Sequence, residues 1–260
     1  MSSEMTFWEH LDELRKVLFR SAIVVFILVI PIFLAKSFIF EKIIFAPTDS
    51  GFILYKWLGQ LALLLKIPDA APEPFSLNLI NIDLSAQFFI HVSVSLTLAF
   101  ILAVPFVLYQ LWRFIGPGLY EKEQVAVKKA FAFGAVLFFI GVLVGYIFVF
   151  PLTLRFLGTY QVSTMVANQI SLQSYISMFT QLILIMGVVF EMPALALILS
   201  KIGIINKSLL KKYRKHAFTI LMIAAAIITP SGDAFTLFIV GMPLYLLYEF
   251  SILICRDIDK

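Results

Sequence analysis

Long runs of apolar residues constrain this chain more than any other feature of its sequence. Four runs, 17–35, 88–112, 130–154 and 175–200, approach or exceed the about 20 residues that a helix needs to cross a hydrocarbon layer of about 30 Å. Hydrophobic residues make up 61% of the chain and charged residues 14%, against about half and about a quarter in soluble domains. We therefore predict an all-α polytopic membrane protein.

Two shorter apolar runs, 217–229 and 234–253, flank the turn sequence TPSGD. We predict six transmembrane helices in a single membrane domain, 1–260, with the last two helices short enough to thin the membrane locally. A large loop, 36–87, follows the first helix and contains an apolar patch, 52–65. A helix of that length covers only about 21 Å, so we expect it to cap the bundle at the membrane surface.

The distribution of Lys and Arg predicts the orientation of the chain. The N-terminal segment, the second and fourth loops and the C-terminal tail together carry fifteen of these residues, whereas the other three loops carry five. Because cytoplasmic loops are enriched in Lys and Arg, we expect both termini in the cytoplasm. The same placement accounts for the net charge of +4, so the charge gives no reason to expect nucleic-acid binding.

Two groups of acidic residues lie on the predicted cytoplasmic side. Glu9, Asp12 and Glu13 precede the first span, and Glu121 and Glu123 precede the third. The acids of the first group can simply pair with bases three or four residues away, and those of the second can interact with the dipole at a helix N-terminus. Alternatively, two such carboxylates can hold two guanidinium groups of a basic peptide by forked hydrogen bonds.

Glu191 lies near the middle of the fourth run. A charge at that depth costs about 2.5 kcal/mol or more, so such a residue faces a bundle interior or a polar cavity. A purely structural role stays open, in which Glu191 pairs with another helix or bonds backbone freed by Pro193. Glu249 lies near the predicted cytoplasmic end of the last run, where it can reach the membrane interface.

A proton- or ion-coupled transporter of small solutes would also fit the composition and the buried acid. Such transporters have internal repeats and broken central helices, and we find neither in the sequence. The sequence also shows no constellation of a membrane-embedded enzyme, no histidine cluster for a metal and no second cysteine to pair with Cys255.

Seven short strings, taken together, resemble the TatC family, the multi-spanning subunit of the twin-arginine protein translocase. In chain order they are HLDELRKVL from His10, AP at Ala46, VPFVLYQLWRFIGPGLYEKE from Val104, FPL at Phe150, FEMP at Phe190, TPSGD from Thr229 and PLYLLYE from Pro243. The chain departs from the family's usual pattern in its long first outer loop and in one additional residue in TPSGD.

The resemblance implies a cupped, concave bundle of six helices that receives the signal peptide of a folded cargo protein and has no catalytic activity. The residues it implies for signal-peptide binding, with two neighbours from the same segment, are Glu13, Glu123, Phe114, Tyr120, Glu9 and Arg15. Glu191 resembles the family's acid on the concave face within the membrane. Pro47 and Asp233 resemble functional positions on the outer face.

The resemblance also implies partners and a location. We expect twin-arginine signal peptides and single-span subunits of the TatA and TatB types to bind this chain, which would self-associate in a receptor complex. Transport would draw on the proton-motive force in the bacterial inner membrane. No cofactor or metal is implied.

Overall fold

Helices dominate the fold of the chain. A computed structural model describes residues 7–67, 77–163, 165, 168–229 and 232–255. The α-helices are α1 (Phe7–Leu34), α2 (Ile53–Leu64), α3 (Ala86–Ile115), α4 (Glu121–Val144), α5 (Phe150–Thr159), α6 (Leu172–Val189), α7 (Met192–Lys201), α8 (Lys207–Lys212), α9 (Arg214–Ile228) and α10 (Ala234–Ile254). One short parallel pairing joins β1 (Leu79–Ile80) to β2 (Ile170–Ser171).

Five helical segments in the described part of the chain are long and apolar enough to cross a membrane. They are Trp8–Leu34, Ala86–Gly118, Gln124–Thr159, Leu172–Lys201 and Ala234–Ile254. The predicted polytopic helical class is therefore confirmed. Helix α9 matches the predicted fifth run, but its 15 residues cover only about 22 Å.

Helix α10 corrects the prediction that the last two helices are both short. It has 21 residues, a length of about 31 Å, which is enough for a bilayer core. Glu249 lies within α10, and Arg214 at the start of α9 donates to its carboxylate at 2.6 Å. Only α9 is short.

The fourth apolar run is divided into two helices, contrary to our interpretation that the sequence contains no broken central helix. Helix α6 ends at Val189 and α7 begins at Met192. Pro193 has no N–H to offer the carbonyl four residues earlier, so the backbone tightens, and the Glu191 N–H donates to the Val188 carbonyl at 3.1 Å. The break places Glu191 at the start of a helix within the run.

Hydrogen bonds from tyrosine hydroxyls hold the long first loop against the helical bundle. Tyr55 of α2 lies 3.2 Å from the Pro47 carbonyl oxygen and 3.1 Å from that of Pro151 in α5. Burial raises the pKa of Tyr55, so its hydroxyl stays protonated as a donor. Tyr146 donates to the Ile43 carbonyl at 2.8 Å. The loop is therefore held at several points along its length.

Glycines allow α4 and α6 to pack at close range. Gly141 and Gly145 are four residues apart, the spacing by which small residues let membrane helices approach closely. A Cβ added at Gly141 would lie 2.5 Å from the Met186 carbonyl oxygen and 2.7 Å from Cβ of Phe190. On the facing helix, a Cβ at Gly187 would lie 2.8 Å from the Phe138 ring. No larger side chain fits between these helices without displacing one.

This contact predicts opposite effects for two glycine substitutions. Gly141→Ala should lower the free energy of unfolding by about 1–3 kcal/mol because the methyl overpacks the α4–α6 contact. Gly59→Ala in α2 is the control, since nothing lies within 4 Å of the added Cβ, and it should stabilise by about 1 kcal/mol through helix propensity. Thermal unfolding of the purified protein in detergent measures both. Equal shifts of the unfolding temperature in the two variants would contradict the packing explanation.

Candidate functional site

A cleft of about 190 Å³ lies where the N-terminal part of α1 meets the end of α3. The short turn Gly116–Gly118 ends α3 at this point. The residues that line the cleft are His10, Glu13, Val17, Arg20, Gln110, Arg113, Phe114 and Pro117. Two residues predicted from different parts of the sequence, Glu13 and Phe114, thus lie at one site.

Glu13 is the accessible acid of this cleft. Its carboxylate accepts a hydrogen bond from the Lys16 ammonium at 2.6 Å, with the side chains 44% and 54% exposed. An exposed ion pair of this kind contributes only about 0–1 kcal/mol. An incoming cation can therefore replace Lys16 at small cost.

An aromatic pair forms one wall of the cleft. The His10 and Phe114 rings stack with their centroids 4.3 Å apart and their planes 25° from parallel. A guanidinium group stacks well on such a planar surface. Arg20 and Arg113 also line the cleft, so its charge is mixed rather than purely acidic.

Gln110 is a site residue that the sequence analysis missed. Its side chain is buried at 4% exposure, and its Oε1 has no hydrogen-bond partner among the described residues. A buried polar atom without a partner is costly, so this carbonyl is available to a donor that enters the cleft. The sequence signal that could have identified Gln110 was a single amide side chain within the apolar sequence LYQLW.

Other residues predicted for this site do not line the cleft. Arg15 lies over the Phe19 ring, with Cζ 5.6 Å from the ring centroid. Tyr120 precedes α4 and is 81% exposed, and Glu9 is also exposed. The side chain of Glu123 is outside the described part of the structure, although its backbone lies in the first turn of α4.

Glu191 occupies a different location, at the break between α6 and α7. Its Oε1 is buried and has no hydrogen-bond partner among the described residues. Its Oε2 lies against Gly134 of α4, in the space that a Cβ at that position would take, and Ala194 borders the same space. The carboxylate is thus held between two helices, and it depends on the small residue at 134.

Pro47 and Asp233 lie at the other end of the bundle from the cleft. Pro47 is buried in the short helical turn Ala46–Thr48. Asp233 caps α10, where its Oδ1 accepts a hydrogen bond from the Thr236 N–H at 2.7 Å. Phe235 stacks on Phe156 near the end of α5, which packs the start of α10 against this end of the bundle.

Most of the chain matches one protein family. Residues 9–243 match the family model described as "Sec-independent protein translocase protein (TatC)". The chain belongs to the TatC family. It is 38% identical to the TatC protein of Blattabacterium sp. subsp. Periplaneta americana, covering 99% of this chain and 97% of that protein. It is 37% identical to TatC of Helicobacter pylori (strain ATCC 700392 / 26695), covering 80% and 82%.

Two solved structures of TatC proteins share the fold. Both are described as the twin-arginine translocase receptor TatC, one of them in DDM. Their TM-scores are 0.70 and 0.73, with 34% and 33% sequence identity. The alignments cover 95% of this chain and 97% and 100% of the solved chains. This TatC chain is therefore a multi-pass membrane protein of a protein translocase, and its relatives' names indicate transport rather than catalysis.

The contact between Glu191 and Gly134 predicts coupled substitutions in this TatC protein. Gly134→Ala should destabilise the fold because its methyl displaces the carboxylate. In a Glu191→Ala background the same change should be neutral or stabilising, since the space is then free and alanine favours helix. Thermal unfolding of the four proteins gives the coupling free energy, expected at about 1–3 kcal/mol. Additive effects would show that the two residues do not share this space.

Proposed function

We propose that this chain is the core receptor and scaffold of a twin-arginine translocase, and that the α1–α3 cleft binds the paired arginines of a cargo signal peptide. The observation that carries the proposal is the meeting of Glu13 and Phe114 in one solvent-accessible cleft. The printed descriptions of the solved relatives as translocase receptors support the same role.

The chemistry of the cleft suits a guanidinium group better than an ammonium group. Glu13 can accept forked hydrogen bonds once Lys16 is displaced, and the His10–Phe114 pair offers a surface for stacking. Gln110 Oε1, which has no partner among the residues the structure describes, is a further acceptor. Glu123 follows the turn Gly116–Gly118 in sequence, and it is proposed as the acid that binds the second arginine.

We further propose six spans with both termini in the cytoplasm of a bacterial inner membrane, arranged as a cupped bundle. The spans are 17–35, 88–112, 130–154, 175–200, 217–229 and 234–253. The excess of Lys and Arg on the predicted cytoplasmic segments supports this orientation. The short α9 would cross only where the membrane is thin or where it leans on its neighbours.

Single-span TatA-type and TatB-type subunits are the proposed partners, and Glu191 is the proposed intramembrane contact for one of them. A carboxylate oxygen without a partner in lipid gains a stabilising interaction when another helix supplies a donor. Pro47 and Asp233 are proposed to act at the outer face, where several copies of the chain would associate.

A proton-coupled transporter of small solutes is the second candidate, favoured by the break in the fourth run beside a buried carboxylate. It makes no use of the Glu13 cleft at the end of the bundle. Substitutions at Glu13 therefore discriminate the two functions.

Peptide binding tests the receptor proposal. An Arg-Arg signal peptide with a photo-crosslinker should label inside-out vesicles and not right-side-out vesicles, and a Lys-Lys peptide should label weakly. Glu13→Ala should weaken binding about tenfold or more, since a charged hydrogen bond is lost. Lys16→Gln should strengthen it by up to about fivefold, because the competing ion pair is removed.

The exposed Asp12 provides the matched control, since it lies on the same helix but outside the cleft. Asp12→Ala should leave binding unchanged. Equal labelling by the two peptides, or wild-type binding by Glu13→Ala, would contradict recognition at this cleft. Labelling only from the outer side would contradict the orientation.

The partner role of Glu191 has its own test. Glu191→Ala should leave peptide crosslinking at the wild-type level yet lower co-purification of a TatA-type or TatB-type subunit several-fold, because the intramembrane acceptor is lost. Glu191→Gln should retain part of the assembly, since its amide oxygen still accepts a hydrogen bond. Unchanged assembly and export in Glu191→Ala would show that the residue is only structural.

A further inference from the structure

A second cavity lies at the opposite end of the bundle from the Glu13 cleft. It has a volume of about 550 Å³ and is bordered by Lys36 just after α1 and by Gln87 and Leu172 in the first turns of α3 and α6. Glu41 and His91 also line it. The ends of membrane-spanning helices mark the membrane interface, so this cavity lies at headgroup level.

An apolar groove of about 310 Å³ lies between the same helices. Its walls include Val94, Leu98 and Ile101 from α3, and Phe179 and Ile183 from α6. It lies farther along both helices than the interfacial cavity and is therefore deeper in the hydrocarbon region.

The cavity and the groove follow the same faces of these helices. On α3 the lining continues from Ile90 in the cavity to Val94, Leu98 and Ile101 in the groove, at spacings of three and four residues that keep to one face. The segment between α1 and α2 contributes in the same order, with Phe40 at the cavity and Ile43 at the groove. Together they form a slot that runs from the interface into the membrane over about 16 Å of α3.

The hydroxyl groups in the groove bond to backbone carbonyls. Thr97 donates to the Ser93 carbonyl at 2.9 Å, and Thr180 donates to the Ile176 carbonyl at 2.8 Å. Tyr146 donates to the Ile43 carbonyl at 2.8 Å. The groove therefore has no hydroxyl proton left for a polar solute and suits a hydrocarbon chain.

The cavity, in contrast, presents one positive and one negative side chain. Lys36 and Glu41 both border it, and neither forms an ion pair within 4.0 Å in the described part of the chain. The His91 ring is fixed in the wall, stacked on Phe33 at 3.8 Å between centroids, with its Nε2 3.0 Å from that residue's carbonyl oxygen. Two separated opposite charges match a zwitterionic group.

We propose that this slot is a binding site for a membrane phospholipid with a primary ammonium headgroup, phosphatidylethanolamine. Lys36 binds the phosphate, Glu41 accepts hydrogen bonds from the ammonium group, and one acyl chain lies in the groove. A primary ammonium offers three N–H donors to Glu41, whereas a trimethylammonium offers none. The site is independent of the signal-peptide cleft, so either proposal can fail without the other.

Lipid titration of the delipidated full-length protein, followed by native mass spectrometry, tests the headgroup assignment. Dioleoyl-phosphatidylethanolamine should bind about tenfold more tightly than dioleoyl-phosphatidylcholine, which has the same chains. Glu41→Gln should remove that preference. Lys36→Gln should weaken both lipids about tenfold, whereas the neighbouring exposed Lys42→Gln, outside the cavity, should not.

Two leucines of equal exposure test the acyl groove. Leu143 and Leu102 are both 53% exposed, but only Leu143 lines the groove. Leu143→Trp should fill the groove and weaken binding of both lipids several-fold, whereas Leu102→Trp should leave binding unchanged. Thermal unfolding of each variant without lipid separates loss of the site from loss of the fold.

Three results would overturn the proposal. The first is equal binding of the two lipids to the wild-type protein. The second is an equal response of Lys36→Gln and Lys42→Gln. The third is binding of a single-span helix or signal peptide in the groove, blocked by Leu143→Trp, while the lipids bind as before. That result would assign the groove to a protein segment.

Discussion

The close contact between α4 and α6 is the constraint on which the rest of the structure depends. Gly141 and Gly187 lack the atoms that would hold the two helices apart, and the added Cβ distances of 2.5–2.8 Å show how little space remains. In lipid, helices gain no hydrophobic driving force from one another, so association relies on packing at this range. Gly134 lies one heptad before Gly141, and the same approach leaves there the space that the Glu191 carboxylate occupies.

The tyrosines extend this constraint to the long first loop. Irregular backbone near a membrane must have its carbonyls satisfied, because lipid offers no donors. Tyr55, Tyr146 and Tyr175 donate to carbonyls of this loop or of α5, and all three are at least partly buried. The carbonyls of Ile43 and Ile44 are therefore satisfied by Tyr146 and Tyr175 of the bundle, and that of Pro47 by Tyr55 within the loop. The part of the loop before residue 68 is therefore packed on the bundle, and its Phe40 and Ile43 line the proposed lipid slot.

Much of this architecture follows from the sequence because lipid imposes a simple rule of length and polarity. The apolar runs overlap α1, α3, α4, α6 and α10, and Glu13 and Phe114, which the resemblance to TatC implies together, line one cleft. The prediction that the last two helices are both short was wrong for α10, which has 21 residues and continues past Glu249. The break before Pro193 was missed because the run is apolar on both sides of this residue.

The features that could not be predicted from the sequence are contacts between residues that lie far apart along the chain. The ion pair of Glu13 with Lys16 follows from a spacing of three, but the stacking of His10 on Phe114 requires α1 to meet α3. Gln110 gains significance only because its carbonyl is buried at that meeting point. Likewise, Lys36 and Glu41 give no signal in the sequence, and they form the proposed lipid site only where α3 and α6 begin beside them.

The two acids proposed to bind partners, Glu13 and Glu191, lie in opposite environments. Glu13 is water-accessible and holds Lys16 by a weak exposed pair, so exchanging that lysine for a peptide arginine costs about 1 kcal/mol or less. Glu191 has a buried oxygen without a described partner, and any donor that reaches it replaces an unfavourable state rather than an existing bond. The proposed recognition by Glu13 would therefore be readily reversible, as a receptor for successive cargo proteins requires. An interaction at Glu191 would instead be strong and selective for a partner able to enter the membrane.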